Sequence, residues 1–422
     1  MENRKIKIGV LGAYRGLTMI SFCAQCKDAE LVAVCDKYEP ALEKCKKRIR
    51  EVGSDCTPTM YRDFDEFLKH DMDAVVLANY ATEHAPFAIK CLKAGKHVLS
   101  EVLPVQTLKE AVELVEAVEE SGKVYAYAEN YCYMPAPTEM RRLYKSGKLG
   151  EFQYGEGEYV HDCHDIWPQI TYGDESHWRN NAYATFYCTH SLGPILHVCG
   201  LRPVKVVGFE LPIPQRMADL GCKGGLGSGG VEMVTLENGA VIKSFHACGL
   251  IREPSSVWYS MYAKNGSIES DRWGKTMERV NLYMEGDVEE TSYAPKPAEN
   301  SALSKKLNTH GGGDFYTMYY FLQKIYGNPE GENSIGIYEA LDMFLPGLMA
   351  YKSILNGNVS MDIPDLRNKA EREMWRNDTF CTDKKVAGDM YVEPHSKGRP
   401  NIPDGAYEKV REMLEKINAE DA

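Results

Sequence analysis

KIKIGVLGAYRG, residues 5–16, runs a β-branched apolar strand straight into a turn bounded by Gly12 and Gly16. A strand that ends in a tight glycine turn and opens a helix is the way backbone amides meet a dinucleotide pyrophosphate. An acidic residue about 20 positions further on then takes the ribose hydroxyls. Asp36, which closes ELVAVCD (30–36), stands in that place. The strict GxGxxG spacing is missing, since Tyr14 and Arg15 fill the turn GAYRG (12–16).

The elements beyond the turn decide its reading. Short apolar runs alternate with helical patterns: a helix over about 17–27, the strand ELVAVCD, a helix over about 39–52, DAVVLAN (73–79), a helix over about 84–93, HVLSE (97–101), a helix over about 107–121 and KVYAYAE (123–129). Apolar strands separated by helices of this length imply a parallel sheet covered on both faces, a Rossmann-type α/β domain over 1–128. Asp36 accepts from a ribose 2'-hydroxyl and repels a 2'-phosphate, so NAD is expected rather than NADP. Its other role is that of a cap or turn aspartate. Asn79, Thr82, His84 and Glu101 fall just after later strands, where ligands meet the carboxyl ends of a parallel sheet, and join Gly12, Tyr14, Arg15, Gly16 and Asp36 as expected cofactor contacts.

The remainder, 129–422, changes character. A helical pattern over about 126–150 gives way to alternating strands, QYGEGEYVH, VKVVGFEL, VEMVTLENGAVIKSFHACG, SSVWYSMYAKNGSIES and RVNLYMEG, with ENGA and KNGS as hairpin signals. An α+β domain with a large, mainly antiparallel sheet is expected, serving substrate binding and oligomerisation. Residues 314–355 return to helix and should pack back toward the first domain; a last helix covers about 405–418. The Gly-rich GCKGGLGSGG (221–230) reads as a mobile connector or substrate lid rather than core.

Composition bounds the partners. Of 422 residues 44% are hydrophobic, enough for two cores, and the formal charge of -12 gives no basic stripe for a nucleic acid. No segment holds 18 apolar residues in a row and the opening residues lack a signal-peptide core, so a cytoplasmic protein without a membrane partner is expected. Thirteen cysteines follow no disulfide framework, and Cys23 and Cys26 have CxxC spacing without a second pair.

Chemistry concentrates where the domains join. In GEYVHDCHDIW (157–167) strand alternation puts Tyr159 and His161 on one face, and in YCTHSLGP (187–194) Tyr187 and His190 share a face if a helix begins there. Histidine titrates near neutrality, and tyrosine is a useful base only beside cationic or donor neighbours. Each histidine alone reads as well as a hydrogen-bonded structural group. His161, Cys163, His164 and Asp165 all offer metal ligands, but contiguous strand residues point alternately, so no metal is expected. Cys163, His164 and Asp165 stay open as a sugar-selecting loop, a capping cluster or a metal site.

The sequence resembles the Gfo/Idh/MocA oxidoreductase superfamily, through IKIGVLG, DAVVLAN, AGKHVLSEVLPVQTLKEAVELVE, HGGGDFYTMYYFL and GNVSMDIPD. Ordinary dehydrogenases of that superfamily carry Glu-Lys-Pro after the fourth strand and an aspartate four residues before the catalytic histidine; here Val102 and Phe186 stand at those places. SEVLP (100–104), ENYCY (129–133), YVHD (159–162) and YCTHSLGP are instead similar to motifs of the NAD-dependent glycoside hydrolase family 109, the α-N-acetylgalactosaminidases.

That resemblance implies NAD, with Asn130 of ENYCY among its contacts, and catalytic roles for Tyr159, His161, Tyr187 and His190. It also implies a redox-neutral cycle: transient oxidation at C3 of a sugar, loss of the C2 proton with elimination of the C1 substituent, addition of water and return of hydride. Elimination by a held base needs no pair of opposed carboxylates. Tyr159 helped by His161 is expected to take the C2 proton, His190 to move the C3 hydroxyl proton, and Tyr187 to orient the sugar. The alternative is a net NAD-dependent sugar or inositol dehydrogenase, and a third reading a non-catalytic sensor. The expected partner is a small carbohydrate or glycoside, in a homodimer or homotetramer joined through the open sheet face.

Overall fold

The computed structural model describes residues 4–273, 278–296, 302–307 and 309–420. The chain forms two compact units, one of Met1–Pro135, Lys296–Leu341 and Leu366–Asn377, the other of Ala136–Pro295, Asp342–Asp365 and Asp378–Ala422.

In the first unit the alternation is realised as β1 (Ile6–Leu11), α1 (Leu17–Gln25), β2 (Ala29–Cys35), α2 (Glu39–Glu51), β3 (Thr59–Tyr61), α3 (Phe64–Leu68), β4 (Ala74–Leu77), α4 (His84–Lys93), β5 (His97–Ser100), α5 (Leu108–Ser121) and β6 (Tyr125–Tyr127). Among the described residues these strands make a six-stranded, wholly parallel sheet of order β3-β2-β1-β4-β5-β6. That order reverses between β1 and β4, which opens a crevice at their carboxyl ends. β4 is buried at every position because helices cover both faces. The core runs from Ile8, Val10, Val34, Val76 and Leu99 to Phe22, Phe315 and Phe321, so the helix Gly313–Ile325 belongs to this unit; Phe22 and Phe315 meet at 5.4 Å between ring centroids. α5 starts on a reciprocal cap, Thr107 Oγ1 accepting from the Glu110 amide at 3.1 Å while Glu110 accepts from the Gln106 amide at 2.6 Å, and it stops at Gly122 in the left-handed region.

The second unit opens with α6 (Pro135–Lys145), then β7 (Phe152–Val160), α7 (Trp167–Thr171), α8 (Trp178–Asn181), α9 (Thr189–Cys199), β8 (Pro203–Glu210), β9 (Gly229–Leu236), β10 (Val241–Ala247), β11 (Ser256–Ala263), β12 (Gly266–Ser270), β13 (Val280–Met284), β14 (Thr291–Tyr293) and β15 (Met361–Asp362). Among the described residues they form a nine-stranded sheet of order β14-β13-β12-β11-β7-β10-β9-β8-β15. Its pairs are antiparallel except β7 with β10, which lie parallel at its centre. α9 packs on one face, where Gly157 of β7 lets it come close: a Cβ there would sit 1.7 Å from the Ser191 carbonyl oxygen. No helix among the described residues is long and apolar enough to cross a membrane.

Three expectations change. The helix over 126–150 is instead the end of β6, a 3-10 turn at Asn130–Tyr133 and α6, because Met134-Pro135 begins a new helix and Glu129 caps the turn. The helix over 314–355 is two, Gly313–Ile325 and Ile337–Leu355, separated at Gly327 (φ +71°) and Pro329. GCKGGLGSGG is no mobile loop: all of it but Lys223 is buried. Added Cβ atoms at Gly224, Gly225 and Gly227 would lie 2.1–2.2 Å from Ala182 O, Glu210 Oε1 and Cys222 Sγ. These glycines serve close packing.

Candidate functional site

In the first unit β1 delivers the chain into Gly12, whose φ of +94° and whose Cβ position 2.3 Å from Ala78 O admit only glycine. A Cβ on Gly16 would meet Gly12 O at 2.3 Å. α1 begins directly afterwards with no side-chain cap; the Leu17 amide goes to Tyr14 O at 3.4 Å, and the rest of the first turn is left without a capping side chain, as an anion site needs. Asp36 ties the turn to β2, Oδ2 accepting from the Ala13 amide at 2.8 Å and Oδ1 from the Tyr38 amide at 2.9 Å. It is a turn aspartate, and each oxygen keeps a second lone pair for a hydroxyl. Tyr14 is exposed with the Lys44 ammonium 5.1 Å from its ring centroid.

The other strand ends converge unequally. The Arg15 guanidinium reaches Glu101 at 2.6 Å and Asp314 at 3.0 Å. Asp314, fully buried, also accepts from Asn130 Nδ2 (2.9 Å), Thr309 Oγ1 (2.8 Å) and His310 Nδ1 (2.8 Å). Burial pushes its carboxyl up, and the His310 hydrogen bond and the Arg15 charge outweigh that and hold it well below the ordinary carboxylate range. Asn79 donates to Glu83 at 3.3 Å, while its buried Oδ1 has no hydrogen-bond partner among the described residues. Thr82 sits half-buried in the 3-10 turn Ala81–Glu83. His84 is spent inside the fold: its ring nitrogens lie 2.8 Å from Leu103 O and 3.3 Å from Asn79 O, and burial lowers it to about 4.

In the second unit the four residues singled out as chemical do converge. The Tyr159 hydroxyl and His161 Nδ1 are 3.1 Å apart, as one-face alternation requires. The Tyr159 ring lies 4.9 Å from that of His190 and 6.3 Å from that of Tyr187, and Tyr187 and His190 meet edge-on at 4.9 Å. α9 supplies His190, and Pro194 within it fixes the presentation. Lacking an N–H, Pro194 cannot donate to the His190 carbonyl four residues back, and that carbonyl accepts from the Tyr259 hydroxyl of β11 at 2.5 Å instead. His161 is held above the ordinary imidazole value, chiefly by its hydrogen bond with the Cys163 thiol, against the opposing effect of burial.

Sequence reasoning missed the cationic wall. The Arg179 guanidinium lies 4.4 Å from the Trp178 ring centroid and 5.5 Å from that of Tyr187, and proximity to the Tyr187 hydroxyl keeps it charged against burial. The Trp178-Arg179 pair at the start of α8 was its signal. The second half of GEYVHDCHDIW divides by role. Asp162 pairs with Arg216 at 2.7 and 2.9 Å and accepts from the His164 amide at 3.1 Å. Cys163 is buried with its amide on Cys248 O, and His164 donates to exposed Asp165 at 2.8 Å. Among the described residues no three His, Cys, Asp or Glu side chains gather as a metal set.

Known proteins resemble the chain at the level of these two regions. Residues 6–129 match the GFO_IDH_MocA family, an oxidoreductase family with an NAD-binding Rossmann fold. The matched residues span all six strands of the parallel sheet. The chain is 24% identical over 407 residues to a glycosyl hydrolase family 109 protein of Solibacter usitatus, covering 86% of this chain and 88% of that one. An α-N-acetylgalactosaminidase of Bacteroides fragilis is 29% identical over 198 residues, 44% of this chain and 46% of the other. In fold it resembles the scyllo-inositol dehydrogenase of Lactobacillus casei, at a TM-score of 0.64 and 17% identity over 85% of this chain and 99% of that one.

NAD is the cofactor of this Rossmann unit, and the residues fit it. The glycine cradle, the uncapped start of α1 and the second lone pairs of Asp36 suit pyrophosphate and ribose, and the buried Asn79 Oδ1 awaits a donor. Asp314, His310 and Thr309 were overlooked as members of the same network. THGGGD (309–314) carried them, but nothing in the sequence alone signals that this distant turn returns to Arg15.

Proposed function

We propose that this chain oxidises a secondary hydroxyl of a carbohydrate-like substrate with NAD, and that Tyr159, His161, Tyr187 and His190 handle the protons of that reaction. The observation that carries the reading is the convergence of those four rings at 4.9–6.3 Å, on a chain whose other unit has a dinucleotide cradle. Bound NAD+ would supply the hydride acceptor. His190 takes the hydroxyl proton, its position fixed by the Tyr259 hydrogen bond. Tyr159 takes the proton of the neighbouring carbon, with His161 at its hydroxyl to receive or return charge. Tyr187 and Arg179 orient the ring, the guanidinium offering donors to substrate oxygens.

Two net outcomes share this oxidation. Redox-neutral glycoside cleavage is supported by Val102 in the place of the dehydrogenase lysine, by the two Tyr/His pairs and by relatives named for glycoside hydrolase family 109. Net oxidation of a sugar or inositol is supported by the common half-reaction and by the fold's likeness to inositol dehydrogenases. The deciding experiment incubates the NAD-loaded protein with α- and β-aryl glycosides and with inositols in deuterated water. Aglycone release with deuterium at C2 and no net NADH selects cleavage; stoichiometric NADH selects the dehydrogenase. Neither product, and no transient NADH absorbance with any substrate, would overturn the oxidation itself.

A further inference from the structure

The sheet face under α9 carries two buried ionisable side chains that no step above uses. Glu232 of β9 and His246 of β10 are both fully buried, with Glu232 Oε1 and His246 Nδ1 facing each other at 3.6 Å. Neither of those atoms, nor Glu232 Oε2, has a hydrogen-bond partner among the described residues. The other ring nitrogen, His246 Nε2, is on the Ala184 carbonyl, an acceptor, so it must carry the proton and Nδ1 must hold a lone pair. Ser244, opposite Glu232 in the ladder, is close enough for its hydroxyl to draw the carboxyl down, against the larger opposing effect of burial. Ser191 Oγ donates to Cys188 O at 2.9 Å and lies 2.8 Å from Ser244 Oγ. Only a protonated Glu232 can donate toward Nδ1.

The pair lies directly under the candidate site. His246 is paired with Tyr159 across the β7–β10 ladder, so the two side chains share a face. His190 is near enough for its charge to act on the His246 ring. The ionisable groups that the ladder and α9 place on this face around the pair include Tyr159 from β7, buried Glu210 from β8 and His190 from α9, with Ser244 and Ser191 as neutral polar neighbours.

We infer that Glu232 and His246 share one proton and form a positioning pair that sets the protonation of Tyr159 and His190. The inference rests on the proton-transfer role proposed for those two residues. Within the pair the proton passes between Glu232 Oε1 and His246 Nδ1 with no change in total charge. When the pair gives that proton to solvent it becomes an anion, and His190 then binds its own proton more tightly. Burial pushes Glu232 up to about 8 and His246 down to about 4, so the loss falls on the alkaline side of neutrality.

Nitrogen-15 NMR of the full chain, titrated from about pH 6 to about pH 10, tests the pair without reference to any substrate. His246, assigned by loss of its signals in H246Q, is expected as the neutral Nε2–H tautomer, its shifts moving once near pH 8. In E232Q that movement disappears. An Nδ1–H tautomer, or wild-type shifts that stay constant over the whole range, would overturn the pair, and this measurement needs only wild-type protein. The second arm is the pH profile of kcat/KM on whichever substrate proves active. Wild type is expected to show an inflection near pH 8 that E232Q lacks, with KM little changed. Identical profiles alongside a confirmed NMR titration would overturn the coupling and leave the reading of the active site standing.

Discussion

The two sites are built on opposite plans. The nucleotide cradle is made of backbone: glycines at which any side chain would collide with a carbonyl, a helix start without a cap, and one aspartate tying a turn. The Tyr159–His190 cluster is made of side chains, brought together by a helix packing on Gly157 and aimed by a carbonyl that Pro194 releases to Tyr259. Backbone sites fail through strain and side-chain sites through lost chemistry, so substitutions in each should damage different observables.

The largest effect belongs to the second plan. His190→Ala should slow transient reduction of bound NAD by roughly 10²–10⁴-fold, the usual worth of a positioned acid-base group, while NAD affinity measured by fluorescence titration stays at the wild-type value. A parallel fall in NAD affinity would erase the division between the sites. Gly12→Ala is the converse. A residue forced to φ +94° against Ala78 O costs about 3 kcal/mol, which appears as ~100-fold weaker NAD binding or an equivalent loss of stability in urea. Wild-type NAD affinity in this variant would remove the glycine turn from the site.

How much of each site could be read in the sequence depends on the same division. Backbone features are local, so the strand-turn-helix at Gly12, the acidic end of β2 and the parallel alternation were legible in a few adjacent residues. Even there the roles differed. Asp36 turned out to brace the turn, and His84, which sat at the right strand end, has both ring nitrogens on backbone carbonyls. Side-chain sites depend on long-range packing. The pairs Tyr159/His161 and Tyr187/His190 were each legible from spacing, but Tyr259, Glu232 and His246 enter only through the register of the nine-stranded sheet. The glycines at 224–227 misled because their composition suits a flexible loop and a tight contact equally.

Asp314→Asn probes where the first plan borrows from the second, since Arg15 and Asn130 both bind this carboxylate. Its folded-state pKa lies below the unfolded value, so the carboxylate stabilises the native state at every pH above the unfolded pKa and ceases to do so as pH falls through the folded one. The variant should therefore lose about 2 kcal/mol at neutral pH, the worth of a charge-assisted network, and the gap to wild type should narrow in strong acid. Urea unfolding at neutral pH and in strong acid checks both. A gap that widens in acid would mean Asp314 is protonated in the fold.

The smallest expected effect is the most specific. Tyr259→Phe removes this donor to the His190 carbonyl, a cost of about 1 kcal/mol in stability. If that hydrogen bond only held the helix down, the catalytic rate would not move. If it aims His190, kcat should fall by about tenfold with KM unchanged, because proton transfer depends on angles that substrate binding does not. Pro194→Ala separates the two cases. It restores an N–H that can reach the same carbonyl from within α9, so it competes with Tyr259 for the oxygen while keeping the acceptor satisfied. A Pro194→Ala protein of full stability and reduced kcat locates the effect in orientation. Equal kcat in both variants and wild type would make the proline a feature of packing alone.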